Sequence, residues 1–148
     1  MKLCLIGHSF KYELEKLIRI FLPFEKIEFA EEAADGDGTA VTRLDKTADK
    51  TVLSALLLIN GKSYNKSYEL SNDAVDYNNE CERLLAVALY DCFVSASGYV
   101  PEWGILTGVR PAKLFSRLAA ENGEANAENW FKNALKVGDE KISLCRST

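Results

Sequence analysis

Histidine occurs once in the 148 residues, at His8. A metal centre built on several imidazoles is therefore excluded, and most catalytic classes lose a common base or ligand. Cysteine occurs four times, at Cys4, Cys81, Cys92 and Cys145, and no two stand in a C-x-x-C pair or another metal-ligand spacing. Cys4, Cys81 and Cys92 have apolar neighbours, which predicts buried, reduced thiols behaving as small hydrophobes. Cys145, near the chain end, is less constrained. No apolar run approaches the ~20 residues of a membrane span. The longest, Leu53 to Ile59, has the length of a strand. Positive charge is not in excess: 18 Lys and Arg against 22 Asp and Glu give a net charge of −4. Phosphate neutralisation needs clustered cations, so general nucleic-acid binding is disfavoured. The opening Met1 to Gly7 is too short for a signal peptide and carries no cleavage site, and a cytoplasmic location is expected.

What is present is a globular composition, 47% hydrophobic and 27% charged, long enough to bury a core without disulfide or metal staples. Lys2 to Gly7 reads as a short buried strand. Ser9 offers an N-cap oxygen for a helix whose Phe10, Leu14, Leu17, Ile18 and Phe21 share one face. Pro23 ends it. Ile27 and Phe29 alternate with charged residues in a half-exposed strand, and Glu31 to Thr39 is a loop. Its Asp35-Gly36-Asp37-Gly38 core lacks the later ligands and closing glutamate of a calcium loop, and reads as a turn. Strands are expected over 40–46, 51–59 and 62–70, the last two joined at Asn60-Gly61, where both positions tolerate positive φ.

Ser71-Asn72-Asp73 supplies candidate caps for a long helix carrying Tyr77, Cys81, Leu84, Leu85, Ala88, Cys92, Phe93 and Ala96, stopped by Gly98. Cys81 and Cys92 lie about three turns apart on it, too far for a disulfide. Strands bracketed by helices imply an α+β fold over 1–99, a small, mostly antiparallel sheet with two helices on one face. A helical segment follows over 100–148. Pro111 starts a helix with Ala112, Leu114, Phe115, Leu118 and Ala119 on one face, closed at Asn122-Gly123. Ala127, Trp130, Phe131, Ala134 and Leu135 line the next, closed at Gly138. Asp139 is placed to cap a last helix with Ile142 and Leu144. So short a helix cannot bury its face alone, and the chain is expected to be part of something longer.

Between the two parts lies Trp103-Gly104-Ile105-Leu106-Thr107-Gly108-Val109-Arg110-Pro111, then Lys113-Leu114. Backbone N–H groups at a proline-started helix, with Arg110 and Lys113, can hold a carboxylate or phosphate. The Walker order G-x-x-x-x-G-K-[ST] is absent. The same residues also suit a tight connector, with Trp103, Ile105 and Leu106 in the core and Arg110 clamped by a carboxylate such as Glu102. Thr107, Gly108, Arg110 and Lys113 are the candidate anion or interface residues.

This segment resembles the W-G-I-L-T-G-[IV]-R-P-x-K-L stretch of HemZ-type coproporphyrinogen dehydrogenases, radical-SAM relatives of oxygen-independent coproporphyrinogen III oxidase. Asp139-Glu140-Lys141-Ile142 resembles their D-E-K-[IL] step, while upstream the likeness is one of element order. The resemblance implies an N-terminal accessory portion of an enzyme that oxidatively decarboxylates two propionates of coproporphyrinogen III in porphyrin synthesis. It also implies a [4Fe–4S] cluster on a C-x-x-x-C-x-x-C run, with S-adenosylmethionine, in a catalytic barrel of the same polypeptide. No cysteine pair here has that spacing, so no catalytic, cofactor-binding or metal residue is carried over, and the chain alone is expected to be catalytically silent. The competing expectation is a non-catalytic protein- or RNA-binding module. It would use the meander, where Tyr64 and Tyr68 stand among Lys62 and Lys66.

Overall fold

Thr51–Ile59 is an almost wholly apolar strand in which burial alternates residue by residue, so its two faces differ in what covers them. It is the centre of the larger of two units. In this computed structural model residues 1–106 and 111–146 are described, and the chain divides into compact units Met1–Tyr99 and Val100–Thr148.

The first unit contains β1 (Lys2–Ile6), α1 (Lys11–Phe21), β2 (Glu28–Ala30), β3 (Thr39–Lys46), β4 (Thr51–Ile59), β5 (Lys62–Leu70) and α2 (Tyr77–Ser97). The sheet order is β2-β1-β3-β4-β5. The long pairings β3–β4 and β4–β5 are antiparallel, while β1 runs parallel to both β2 and β3. Helices on one face of a mostly antiparallel sheet make this an α+β fold. Asn60 and Gly61, at φ 53° and 74°, form the tight turn between β4 and β5.

One sheet face carries Leu3, Ala40, Thr42, Leu53, Ala55 and Leu57, all buried, and α2 packs on it. The Cys92 thiol lies 3.7 Å from the Ala55 carbonyl, and the Tyr68 hydroxyl donates to Asp91 of α2. Tyr68 thus points at a helix and Tyr64 shares its face, so neither forms a free stacking platform. α1 buries Leu14, Leu17 and Ile18 and stacks Phe21 on Phe93 of α2 at 5.0 Å. In α2 every residue from Leu84 to Tyr90 is buried, not a single stripe, because the sheet and α1 enclose it from different sides. The connection from β2 to β3 must pass over β1. Cys4, on the face opposite Leu3, is fully buried.

Two expected caps do different work. The Ser9 hydroxyl does not cap α1. Phe10 occupies the N-cap position, and its N–H donates to His8 Nδ1 at 3.2 Å. The His8 ring is held there by Thr42, 2.9 Å from Nε2. Ser71-Asn72-Asp73 does not open α2, which starts at Tyr77 after Asp76 at φ 56°. Asn72 instead accepts from the Thr51 hydroxyl at 2.7 Å and donates to the Thr47 carbonyl at 2.7 Å. Long-range partners have outcompeted the local cap. Gly98 ends α2 as expected, at φ 73° with its N–H on the Val94 carbonyl.

The second unit contains α3 (Pro111–Asn122), α4 (Glu124–Asn129), a π turn (Trp130–Ala134) and α5 (Asp139–Arg146). Phe115, Ala127, Phe131, Val137, Ile142 and Cys145 form its core, with Phe115 edge-on to Phe131 at 5.2 Å. In the π turn the Leu135 N–H reaches the Trp130 carbonyl, adding a residue to the turn. Phe131 and Ala134 face inward, whereas Trp130, expected on the apolar stripe, is 39% exposed. Leu144, also expected inside, is 53% exposed, and Cys145 takes the core position. Gly138 does not close the preceding helix. That helix ends before Lys136 at φ 61°, and the Gly138 carbonyl accepts from Lys141 and Ile142 at the start of α5. Asp139 is the first residue of α5, not its cap. No helix among the described residues is long and apolar enough to cross a membrane.

Candidate functional site

The two segments that carry the resemblance meet in the second unit. Residues 101–106 form two tight turns, with Gly104 N–H on the Pro101 carbonyl at 3.2 Å and Leu106 N–H on the Trp103 carbonyl at 3.1 Å. The coil then pairs with the chain after the π turn. Ile105 N–H donates to the Leu135 carbonyl at 2.9 Å, and Gly138 N–H donates to the Glu102 carbonyl at 2.7 Å. Gly104 sits between these bonds at φ 59°. A Cβ there would lie 2.0 Å from the Leu135 oxygen, so the pairing requires glycine.

Trp103 and Leu106 pack against the core of this unit. Lys141 reaches back over them from α5. Its ammonium lies 5.5 Å from the centre of the Trp103 ring and 3.3 Å from Glu102 Oε2. The ammonium thus bridges the indole face and the carboxylate, with the lysine side chain 29% exposed. Glu102, the expected competitor for Arg110, is thus paired with Lys141.

Of the candidate anion or interface residues, Thr107, Gly108 and Arg110 lie outside the described residues. Lys113 stands exposed in the first turn of α3 and has no ion-pair partner among the described residues. The juxtaposition of Glu102, Trp103 and Lys141 was not singled out from sequence. Glu102 and Lys141 lie 39 positions apart, and no local spacing signals their pairing.

The single histidine belongs to the first unit. His8 Nδ1 accepts from Phe10, so Nε2 carries the proton and donates to Thr42 Oγ1, which in turn donates to the Cys4 carbonyl at 2.8 Å. Burial lowers the His8 pKa, and the contact with Thr42 opposes that shift. At the far edge of the sheet, burial and then the Asp91 carboxylate raise the Tyr68 pKa, keeping the phenol protonated. The four cysteines are all buried and unpaired. Burial raises Cys81 and Cys145, and with Asp91 beside it pushes Cys92 up to about 11. Such thiols are poor nucleophiles and poor ligands. Among the described residues no group of three or more His, Cys, Asp or Glu is placed to hold a metal ion.

The architecture is that of an α+β layer followed by a small helical unit whose opening coil is clamped by its own last helix. No protein-family model, curated protein or solved structure matches the chain.

Proposed function

We propose that this chain is the N-terminal accessory portion of a radical-SAM enzyme of the oxygen-independent coproporphyrinogen III oxidase type, acting in porphyrin or haem synthesis. The parent reaction would be oxidative decarboxylation of coproporphyrinogen III. The observation that carries the reading is the Trp103–Leu114 segment, twelve residues that resemble one family's pattern nearly position for position. Its contact with the Asp139–Ile142 step supports the reading, because both stretches then belong to one packed feature.

The cluster and S-adenosylmethionine are assigned to a catalytic barrel and not to this chain. The thiols here are individually buried, with Cys92 against the Ala55 and Tyr64 carbonyls and Cys145 in the helical core. They do not fit a cluster that needs three converging thiolates. The chain's role in this reading is docking. Thr107, Gly108, Arg110 and Lys113 would be the residues that meet an acidic group of the barrel or the substrate, through the two cations next to the α3 N-terminus. The proposed setting is cytoplasmic.

The test is to read the encoding transcript beyond the Thr148 codon and assay the full product. A C-x-x-x-C-x-x-C run there, with anaerobic coproporphyrinogen decarboxylation that Arg110→Ala lowers at least tenfold at unchanged melting temperature, is the expected result. A product without that run, inactive alone and with any co-purifying radical-SAM protein, would sink the assignment.

A further inference from the structure

The sheet face turned away from α2 carries a row of polar side chains across three strands. Arg43 of β3 is in register with Ser54 of β4, and Ser54 with Ser67 of β5. The next row on that face is Val41, Leu56 and Asn65. All six line an open groove of about 390 Å³, together with Ala55 and Lys66, which are register partners on the other face; the Lys66 ammonium lies 5.6 Å from the Tyr68 ring, so Arg43 is the cation this row presents. Arg43 is half-buried, yet no ion pair or hydrogen bond engages its side chain among the described residues, and the same holds for Ser54, Asn65 and Ser67. Asp45 follows two residues along β3 on the same face and makes no ion pair with Arg43.

A partly desolvated guanidinium without a counter-ion is unfavourable, and its planar fork matches a carboxylate. We propose that this groove binds a short-chain aliphatic carboxylate. The carboxylate sits against Arg43 with the Ser54 hydroxyl as a second donor, and the carbon chain runs over Leu56 and Val41. Ser67 and Asn65, two strand spacings or about 10 Å from Arg43, leave room for a polar group at the far end. The charge balance selects this ligand class. One guanidinium neutralises one carboxylate but leaves a phosphate dianion undercompensated on a chain of net charge −4. This face also presents no aromatic ring to stack a base, which sets a nucleotide aside. The inference does not depend on the function proposed above.

The test is an amide NMR titration of the whole chain with sodium hexanoate, against phosphate and chloride at matched ionic strength. Hexanoate should give saturable shifts centred on Arg43, Ser54 and Ser67, and phosphate should bind at least tenfold more weakly. Arg43→Gln should weaken hexanoate at least tenfold while spectral dispersion is kept. Asp45→Asn should leave affinity unchanged or tighten it, since a competing carboxylate is removed. If Arg43→Gln does not fold, Arg43→Lys keeps the charge without the fork and should weaken binding several-fold. Non-saturating shifts shared by all three anions, affinity indifferent to Arg43, or phosphate preferred over hexanoate would each overturn the proposal.

Discussion

Gly104 is the residue at which the resembling segment becomes physically necessary. At φ 59°, and with a Cβ placed 2.0 Å from one carbonyl oxygen and 2.4 Å from the next, the position admits no side chain without moving the backbone. Gly104→Ala should cost about 3 kcal/mol or more, combining left-handed strain with a backbone clash. Gly123→Ala is the control. It lies at φ 91° and ψ 153°, but nothing is within 4 Å of the added Cβ, so only the conformational cost of about 1–3 kcal/mol applies, without a clash. Trp103 and Trp130 are the only tryptophans and both lie in the second unit, so denaturant unfolding followed by indole fluorescence reads the difference there. His8 gives a pH prediction of definite sign. Its folded pKa is lowered below 6.5, so the unfolded chain binds the proton more readily. The stability tied to this group is complete above about pH 6.5 and is lost as pH falls through the depressed folded value. Protonation would also set an Nδ1–H against the Phe10 N–H. A urea midpoint measured against pH should show this loss in the parent, and His8→Ala should remove that step from the profile. An identical slope in both would refute the assignment.

At the scale of elements, periodicity located nearly every helix and strand, because burial of one face is encoded by local spacing. Leu14, Leu17 and Ile18 of α1 were legible for that reason, and β4 was legible as a strand-length apolar run. The caps were not. Ser9 and Asn72 are good capping residues in isolation, but the Phe10 N–H goes to His8, a ring held by distant Thr42, and Asn72 is taken by Thr51 and Thr47. Trp130 and Leu144 failed as well. A π turn over 130–134 shifts the helical phase at Trp130, and in α5 it is Cys145 that continues the buried face from Ile142 while Leu144 points out. Phe93, 2% exposed on α2 and stacked on Phe21 of α1, joins two elements of the first unit. Phe93→Ala should destabilise this unit by about 3–5 kcal/mol through lost burial and a residual cavity. Ser95→Ala, on the exposed side of the same helix, should change it by less than about 0.5 kcal/mol. Urea unfolding followed by far-UV circular dichroism separates the two.

Over the whole molecule, the cysteines show how far composition reaches. Apolar neighbours predicted burial of Cys4, Cys81 and Cys92, and they are 0%, 0% and 2% exposed. Cys145, 2% exposed, is enclosed as well, because Ile142 and Phe131 close around it in the helical core. With all four enclosed and three raised in pKa, a disulfide reagent near pH 8 should find almost no reactive thiol in the native chain and four in denaturant. One fast thiol in the folded state would mark a site that opens.

The sequence by itself determined the α+β class, the element order, the Asn60-Gly61 turn, the Gly98 stop and the burial of the thiols. Each follows from local spacing, or from a backbone preference that few residues can meet. Tertiary structure alone decided that β1 lies between β2 and β3. It also decided that Lys141 takes Glu102, and that Arg43 has no counter-ion among the described residues. Those outcomes depend on which distant segments become neighbours. A pairing across 39 residues, such as Glu102 with Lys141, leaves no periodic trace in the chain that makes it.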